Sequence, residues 1–195
     1  MTTITASPAV ARPRAVVVAA IAAKLLLFGL LLAALIWPDL SGLKGKATGA
    51  RLVVYPLGAM ALPLFWYAVR RGRQAFPWAA DLLITLPWLI DLAGNRLNLF
   101  DAVNWWDDLM HFVLWGLLTA GVLLAFAPGN LSRGMRVMLA LGFGTTAAVI
   151  WEVGEYVAFV RHSAELQTAY TDTLGDLALG TFGALLAGLL MARRT

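Results

Sequence analysis

Cysteine is absent from the chain, which excludes thiol catalysis, iron–sulfur ligation and disulfide stapling. Charge is scarce as well: 13% of the 195 residues are Asp, Glu, Lys or Arg, against 61% apolar, where a soluble domain carries about one quarter charged residues. Gly-x-Ser-x-Gly, Walker and dinucleotide-binding patterns are missing, no Ser–His–Asp arrangement stands out, and there is no internal repeat. No segment alternates with the period of a membrane-barrel strand. What the sequence does contain is a set of apolar runs of about twenty residues, each long enough to cross a hydrocarbon core of roughly 30 Å as a helix. Mean hydropathy is +0.77. These features predict an all-α, polytopic membrane bundle formed as a single domain over residues 1–195.

Six transmembrane spans are expected, at about Ala15–Trp37, Ala50–Val69, Phe76–Leu92, Trp105–Ala127, Met135–Val160 and Thr173–Met191. The first is broken only by Lys24 and is too long for the apolar region of a signal peptide, about 7–15 residues. Pro38 and Gly42, Gly72, Gly94, and Pro128-Gly129 mark the connections. With both termini inside, the inner segments hold nine basic residues, Arg12, Arg14, Arg70, Arg71, Arg73, Arg133, Arg136, Arg193 and Arg194. The outer ones hold five, Lys44, Lys46, Arg51, Arg96 and Arg161. Basic residues accumulate on the cytoplasmic side, so the expected orientation is N-in, C-in. The basic pI then reflects topology and anionic lipid, and nucleic-acid binding is not indicated.

This topology places ten of the eleven acidic residues toward the outer half, leaving Asp81 nearer the inside. Asp39, Asp101 and Glu165 read as ordinary loop residues. Six of the others recur at helical spacing: Asp107 and Asp108 lie four and three residues before His111, Glu152 lies three before Glu155, and Asp172 four before Asp176. Each set occupies one helix face. The Asp172–Asp176 stripe continues as Gly180, Ala184 and Gly188, and Gly144 and Ala148 lead to Glu152. Such small-residue ridges let helices approach closely, so the acidic faces are expected to point into the bundle and converge. One aspartate at a helix centre costs about 2.5–3.5 kcal/mol to insert. Several uncompensated ones would cost on the order of 5–10 kcal/mol, so protonation, water, arginine or a metal must offset them. A divalent ion (zinc, manganese, iron or magnesium) would accept His111 as a nitrogen ligand. The expected ligands are Asp108, His111, Glu152, Glu155, Asp172 and Asp176, with Asp108 favoured over Asp107 because it aligns with His111 and Trp115. Glu152 and Glu155 are the candidates for catalysis, and Arg96 and Arg161 for holding a phosphate.

A plainer account stands beside this one. Asp107 and Asp108 suit a helix N-terminus and Asp172 could cap the last span. Capping does not explain Glu152 and Glu155, which lie near a helix C-terminus, where the dipole disfavours negative charge. Lys24 snorkels or pairs with Asp81, His162 reads as solvated, and Trp115 and Trp151 either wall the polar site or face lipid and core.

Three motifs, Asp107-Asp108-Leu-Met-His111-Phe112, Trp151-Glu152-Val-Gly-Glu155-Tyr156 and Tyr170-Thr-Asp172-Thr-Leu-Gly175-Asp176 followed by Gly180, resemble the YjdF-like inner-membrane proteins. More distantly they resemble the VanZ-like family, whose pattern runs Asp-Lys-x-x-His, Glu-x-x-Gln, Asp-x-x-x-Asn. Asp108, Glu155 and Asp176 replace the lysine, glutamine and asparagine of that pattern. The likeness covers roughly Trp105 to Leu190. It implies a helical fold in the bacterial inner membrane and marks the same residues, but it supplies no reaction. VanZ-like proteins are associated with glycopeptide-antibiotic tolerance at the cell envelope. The leading expectation is a metal-dependent enzyme acting on a lipid-linked envelope substrate, with membrane lipids as its surroundings. The alternatives are a cation or proton-coupled transporter and a non-catalytic subunit of a membrane complex.

Overall fold

A computed structural model describes residues 14–38, 42–43, 46–70 and 74–193. Asp39, Lys44, Gly72 and the arginines at 12, 71, 73 and 194 lie outside the described residues. Among those described there are helices and turns and no strand. Helix α1 is Arg14–Ile36, α2 Thr48–Phe65, α3 Trp78–Arg96, α4 the short Leu99–Ala102, α5 Trp106–Phe126, α6 Arg133–Ala158 and α7 Ala169–Ala192. Five of them, α1, α2 with its continuation to Arg70, α5, α6 with the turn that follows it, and α7, are long and apolar enough to cross a membrane. Helix α3 falls outside that group. Its 19 residues include Asp81, Asp91, Asn95 and Arg96, and it can be this polar because it lies inside the bundle, packed by α1, α2 and α5.

Three element bounds differ from the expected spans, and each difference bears on the site. Helix α3 runs four residues past Leu92 to Arg96, carrying Asp91 and Asn95 on regular helix. Helix α7 begins at Ala169 with Thr168 before it, so Asp172 sits inside the first turn and does not cap it. Trp105 precedes α5 and no side chain caps that helix, so Asp107 and Asp108 do not cap it either. In α2, Pro63 supplies no N–H, and the helix relaxes into a π-turn over Trp66–Arg70.

The bundle has two parts. Helices α5, α6 and α7 pack most extensively, α1 and α2 pack on α3, and the α3–α5 contact joins the parts. The small-residue ridge of α7 is buried as its spacing predicts: Gly180, Gly183, Ala184, Ala187 and Gly188 all face neighbours. A methyl group at Gly183 would strike the Phe112 carbonyl, one at Gly144 would strike Ala184, and one at Gly188 would meet Ala140. Backbone contact of this kind replaces the hydrophobic driving force that helices lack in lipid. The outward faces are greasy: Leu25 and Leu32 on α1, Val53 and Leu57 on α2 and Ile150 and Val157 on α6 are exposed, as a hydrocarbon-facing surface requires.

Lys24 reaches across from α1 to α3, with its Nζ 2.7 Å from Asp81 and 2.6 Å from the Thr85 hydroxyl. Asp81 is 1% exposed, so this pair compensates a charge that neither helix could bury alone. It lies near the start of α3, away from the second polar group, which gathers where α3 and α6 end and α2, α5 and α7 begin.

Candidate functional site

Five helices deliver side chains to that end of the bundle, around a cavity of about 340 Å³. His111, on the second turn of α5, is its centre. Its Nε2 lies 3.7 Å from Asp107 Oδ1 and 3.6 Å from Asp176 Oδ1, and its Nδ1 lies 3.7 Å from Glu152 Oε1. The imidazole therefore stands among three carboxylates contributed by three helices. One set of ligand atoms comes from Asp107, His111 and Asp176 and another from His111, Glu152 and Glu155, and within each set all atoms lie within 4.8 Å of one another. His111 and Glu152 are each 9% exposed and Asp176 4%. Neither His111 Nδ1 nor Glu152 Oε1 has a hydrogen-bond partner, although both are buried beside the cavity. Buried polar atoms are nearly always satisfied, and these two face each other at 3.7 Å, so a small approach of the ring to Glu152 would satisfy both. The other oxygen of Glu152 accepts a hydrogen bond from the Thr173 hydroxyl at 3.3 Å.

A second polar group faces the first across the cavity. Arg51, at the start of α2, is 8% exposed. Its Nε donates to the Lys46 carbonyl at 2.9 Å and its Nη1 to Asp91 Oδ2 at 2.5 Å and to the Tyr55 hydroxyl, which itself donates to Asp91. Its Nη2 lies 3.6 Å from Glu155 Oε1. At the mouth, Lys46 bonds both oxygens of Asp101 at 2.8 Å. Asp91 and Asp101 thus have cations of their own. Asp107, Glu152, Glu155, Glu165, Asp172 and Asp176 also line the cavity, where the remaining counter-charge is what Arg51 offers Glu155. A cleft lined by this excess of carboxylates attracts cations.

The structure brings Asp107, His111, Glu152, Glu155, Asp172 and Asp176 around one cavity, with Asp172 exposed at its rim. It does not bring Asp108, which is exposed and outside the lining; Asp107 takes that place. Helical geometry gives the reason: at about 100° per residue, a residue four back lies about 40° from His111 and one three back about 60°, on the other side. Arg96 and Arg161 are also exposed and away from the cavity. Arg96 follows Asp91 by five residues, a rotation that leaves it about 140° away, and Arg161 sits in the turn Val160–His162 after α6 has ended. The buried cation of the site is Arg51, with Lys46 at the mouth. Asp101 and Glu165, expected as ordinary loop acids, line the mouth, and Trp115 and Trp151 both wall the cavity. His162 is exposed. The residues that sequence reasoning passed over are Arg51, Tyr55 and Asp91. Their signal was available in the spacing: Arg51 and Tyr55 are four apart, as are Asp91 and Asn95, in helical turns at the same end as the acids.

The fold and the site define a polytopic helical membrane protein with a buried histidine–carboxylate cluster at one end of its bundle. By sequence the chain belongs to the family described as "Predicted membrane protein (DUF2238)", which matches over residues 23–195. That is the family to which the YjdF-like resemblance points, and the match does not extend to the VanZ-like one. No curated protein and no solved structure matches the chain.

Proposed function

We propose that the chain is a divalent-metal-dependent hydrolase of the bacterial inner membrane, acting on a lipid-linked envelope substrate from a site that opens to the outside. One observation carries this reading: His111 Nε2 faces carboxylate oxygens of Asp107 and Asp176 at 3.7 and 3.6 Å, all three ligand atoms lying within 4.8 Å of one another beside the cavity. Two ligand atoms held about 2.1 Å from one ion lie about 3.0–3.4 Å apart, so the 3.6–3.7 Å separations here need only a slight contraction. The ion belongs on the Nε2 side, held by Asp107, His111 and Asp176, because Arg51 stands beside Glu155 on the other side and repels a second cation. Glu152 then accepts the Nδ1 hydrogen and orients the ring, as carboxylates behind metal-bound histidines do.

Asp107, His111 and Asp176 would hold the ion, which would supply a polarised water, as zinc does when it lowers the pKa of its bound water to about 7. Hydrolysis joins the water oxygen to the electrophilic centre of the ester and breaks the bond to the leaving oxygen. One water proton goes to a base and the other reaches the departing alkoxide. A carboxylate of the cavity lining that is not itself a ligand would act as that base. The test is metal content by elemental mass spectrometry on detergent-purified protein, with phosphate release from phospholipid substrates measured beside it. A stoichiometric divalent ion and release abolished by chelator are expected. Metal-free protein with no response to chelator would remove the proposal.

Transport is the weaker reading. Beyond the cavity, α5, α6 and α7 close on one another through Gly183 on Phe112 and Gly144 on Ala184.

The orientation that goes with this function is N-in, C-in with six crossings, α3 being the sixth. The nine-to-five distribution of basic residues supports it, as does the length of α3, 19 residues or about 28 Å. In intact cells of the cysteine-free protein, Gly129→Cys is expected to resist an impermeant thiol reagent while His162→Cys labels. The reverse pattern would place the site in the cytoplasm.

A further inference from the structure

We infer that the substrate is a phosphate-headed membrane amphiphile that enters sideways, between α2 and α6, with its chain left in the bilayer. The first support is the layering of the cavity. Arg51, Asp91, His111 and Glu155 form its polar level, and about one to two helical turns further into the bundle its wall becomes apolar: the Tyr55 ring, Pro87, Trp88, Leu114, Leu118 and Trp151. A soluble polar substrate has no use for that inner chamber, whereas the first carbons of a lipid chain do.

The second support is size. At about 340 Å³ the cavity is at the small end of ligand sites, about 300–1,000 Å³. It accommodates a head group and a few carbons, and the rest of a chain must leave. The third is the way out. Helix α2 packs mainly on α3 and α1, and α6 mainly on α7 and α5, so the two flank the cavity with little backbone approach between them. What reaches across is side chain: Arg51 to Glu155 at 3.6 Å, and the rings of Tyr55 and Trp151 with centroids 6.3 Å apart. Tyr156 lines the cavity while half of it is exposed on the flank of α6, so the lining continues to the outer surface there.

The head group follows from Arg51. Its Nε and Nη1 are committed to Lys46, Asp91 and Tyr55, while its Nη2 makes only the 3.6 Å ion pair with Glu155, without a hydrogen bond, among the described residues. That leaves one edge of a rigidly held guanidinium facing the cavity, a geometry suited to a phosphate oxygen. An anionic head can share this space with the surrounding carboxylates when a divalent ion sits at His111 Nε2, so the head-group assignment rests on the ion-centred reading above.

The experiment places the full chain in nanodiscs of phosphatidylcholine containing a minority of phosphatidic acid with a photoreactive diazirine in its acyl chain. Adducts are mapped after illumination with and without Mn²⁺. Labelling of Leu118 and Trp151 is expected, unaffected by millimolar inorganic phosphate. Leu118→Trp, which fills the inner chamber, should reduce it by about tenfold, a binding change of about 1.4 kcal/mol, with Mn²⁺ affinity unchanged. Arg51→Lys, which keeps the charge and loses the fork, should reduce it severalfold, again with Mn²⁺ binding intact. Adducts confined to outward residues such as Val53 and Val157 would overturn the proposal, and so would displacement by inorganic phosphate, which would indicate a site for free phosphate. Failure of Mn²⁺ to bind while Leu118 and Trp151 still label would overturn the ion-centred reading and the head-group assignment, and would support the sideways entry alone.

Discussion

Asp176→Asn is expected to weaken Mn²⁺ binding by more than about 100-fold, beyond the roughly 10–100-fold that loss of an outer-shell partner produces. Asparagine keeps the shape of the side chain and removes the charge that makes a carboxylate a ligand. Asp176 is 4% exposed and 3.6 Å from His111 Nε2, so no neighbouring water or loop acid replaces it easily. The ordering across variants tests the placement of the ion. Asp107→Asn should resemble Asp176→Asn, since both act at Nε2. Glu152→Gln should lose about 10–100-fold, as a residue that orients the ring. Glu155→Gln should change affinity little, and Asp108→Asn not at all. If Glu155→Gln proves the most damaging, the ion sits on the Nδ1 side. A structural network would behave differently: neutral amides would be tolerated, because an uncharged buried pair avoids much of the desolvation cost, and no variant would bind metal. Apo-protein stability should move the opposite way from affinity, rising in Asp176→Asn as carboxylate repulsion is relieved. An isothermal titration paired with an unfolding curve reads both. The affinity should also fall on acidification, since protons compete for the same ligand atoms.

The parts of this molecule that could be read from sequence are those governed by a period. Helical spacing placed Asp176, Gly180, Ala184 and Gly188 on one buried stripe and Glu152 above Gly144 and Ala148, and the structure has them there. The choice between Asp107 and Asp108 was less accessible. Both stand within one turn of His111, and which one turns inward depends on how α5 is rotated against α7. That rotation is set by Gly183 meeting the Phe112 carbonyl, a backbone contact that a side-chain pattern does not display. Arg51 was missed for a related reason. In a list of basic residues it counts as one more loop cation, and its value comes from partners 40 residues away on α3 and far beyond that on α6. Helix α3 shows the same limit from another direction: its polarity suits burial at the centre of a bundle, while a test of hydropathy looks for contact with lipid.

Arg51→Met is the second large effect, and its two readouts should move in opposite directions. The guanidinium holds Asp91 at 2.5 Å, the Lys46 carbonyl at 2.9 Å and the Tyr55 hydroxyl. Methionine fills most of the volume and leaves Asp91 with the Tyr55 hydroxyl and an Asn95 amide at 3.3 Å. Breaking a buried pair by removing one partner costs about 3–5 kcal/mol, because the remaining charge is uncompensated. The side chains here are 9% and 13% exposed, and the cavity lets some water reach Asp91, so the lower end of that range is expected. Asp91→Asn in the same chain should recover more than half of the loss, which a double-mutant cycle isolates. Mn²⁺ affinity, by contrast, should hold or rise in Arg51→Met, since a fixed positive charge has left the cavity while Asp107, His111 and Asp176 are untouched. A chain that loses stability and keeps its ion separates the two polar groups into a structural pair on α2 and α3 and an ion site on α5 and α7. A chain that loses both together would mean that Arg51 and His111 belong to one indivisible network, and the placement of the ion at Nε2 would have to be abandoned.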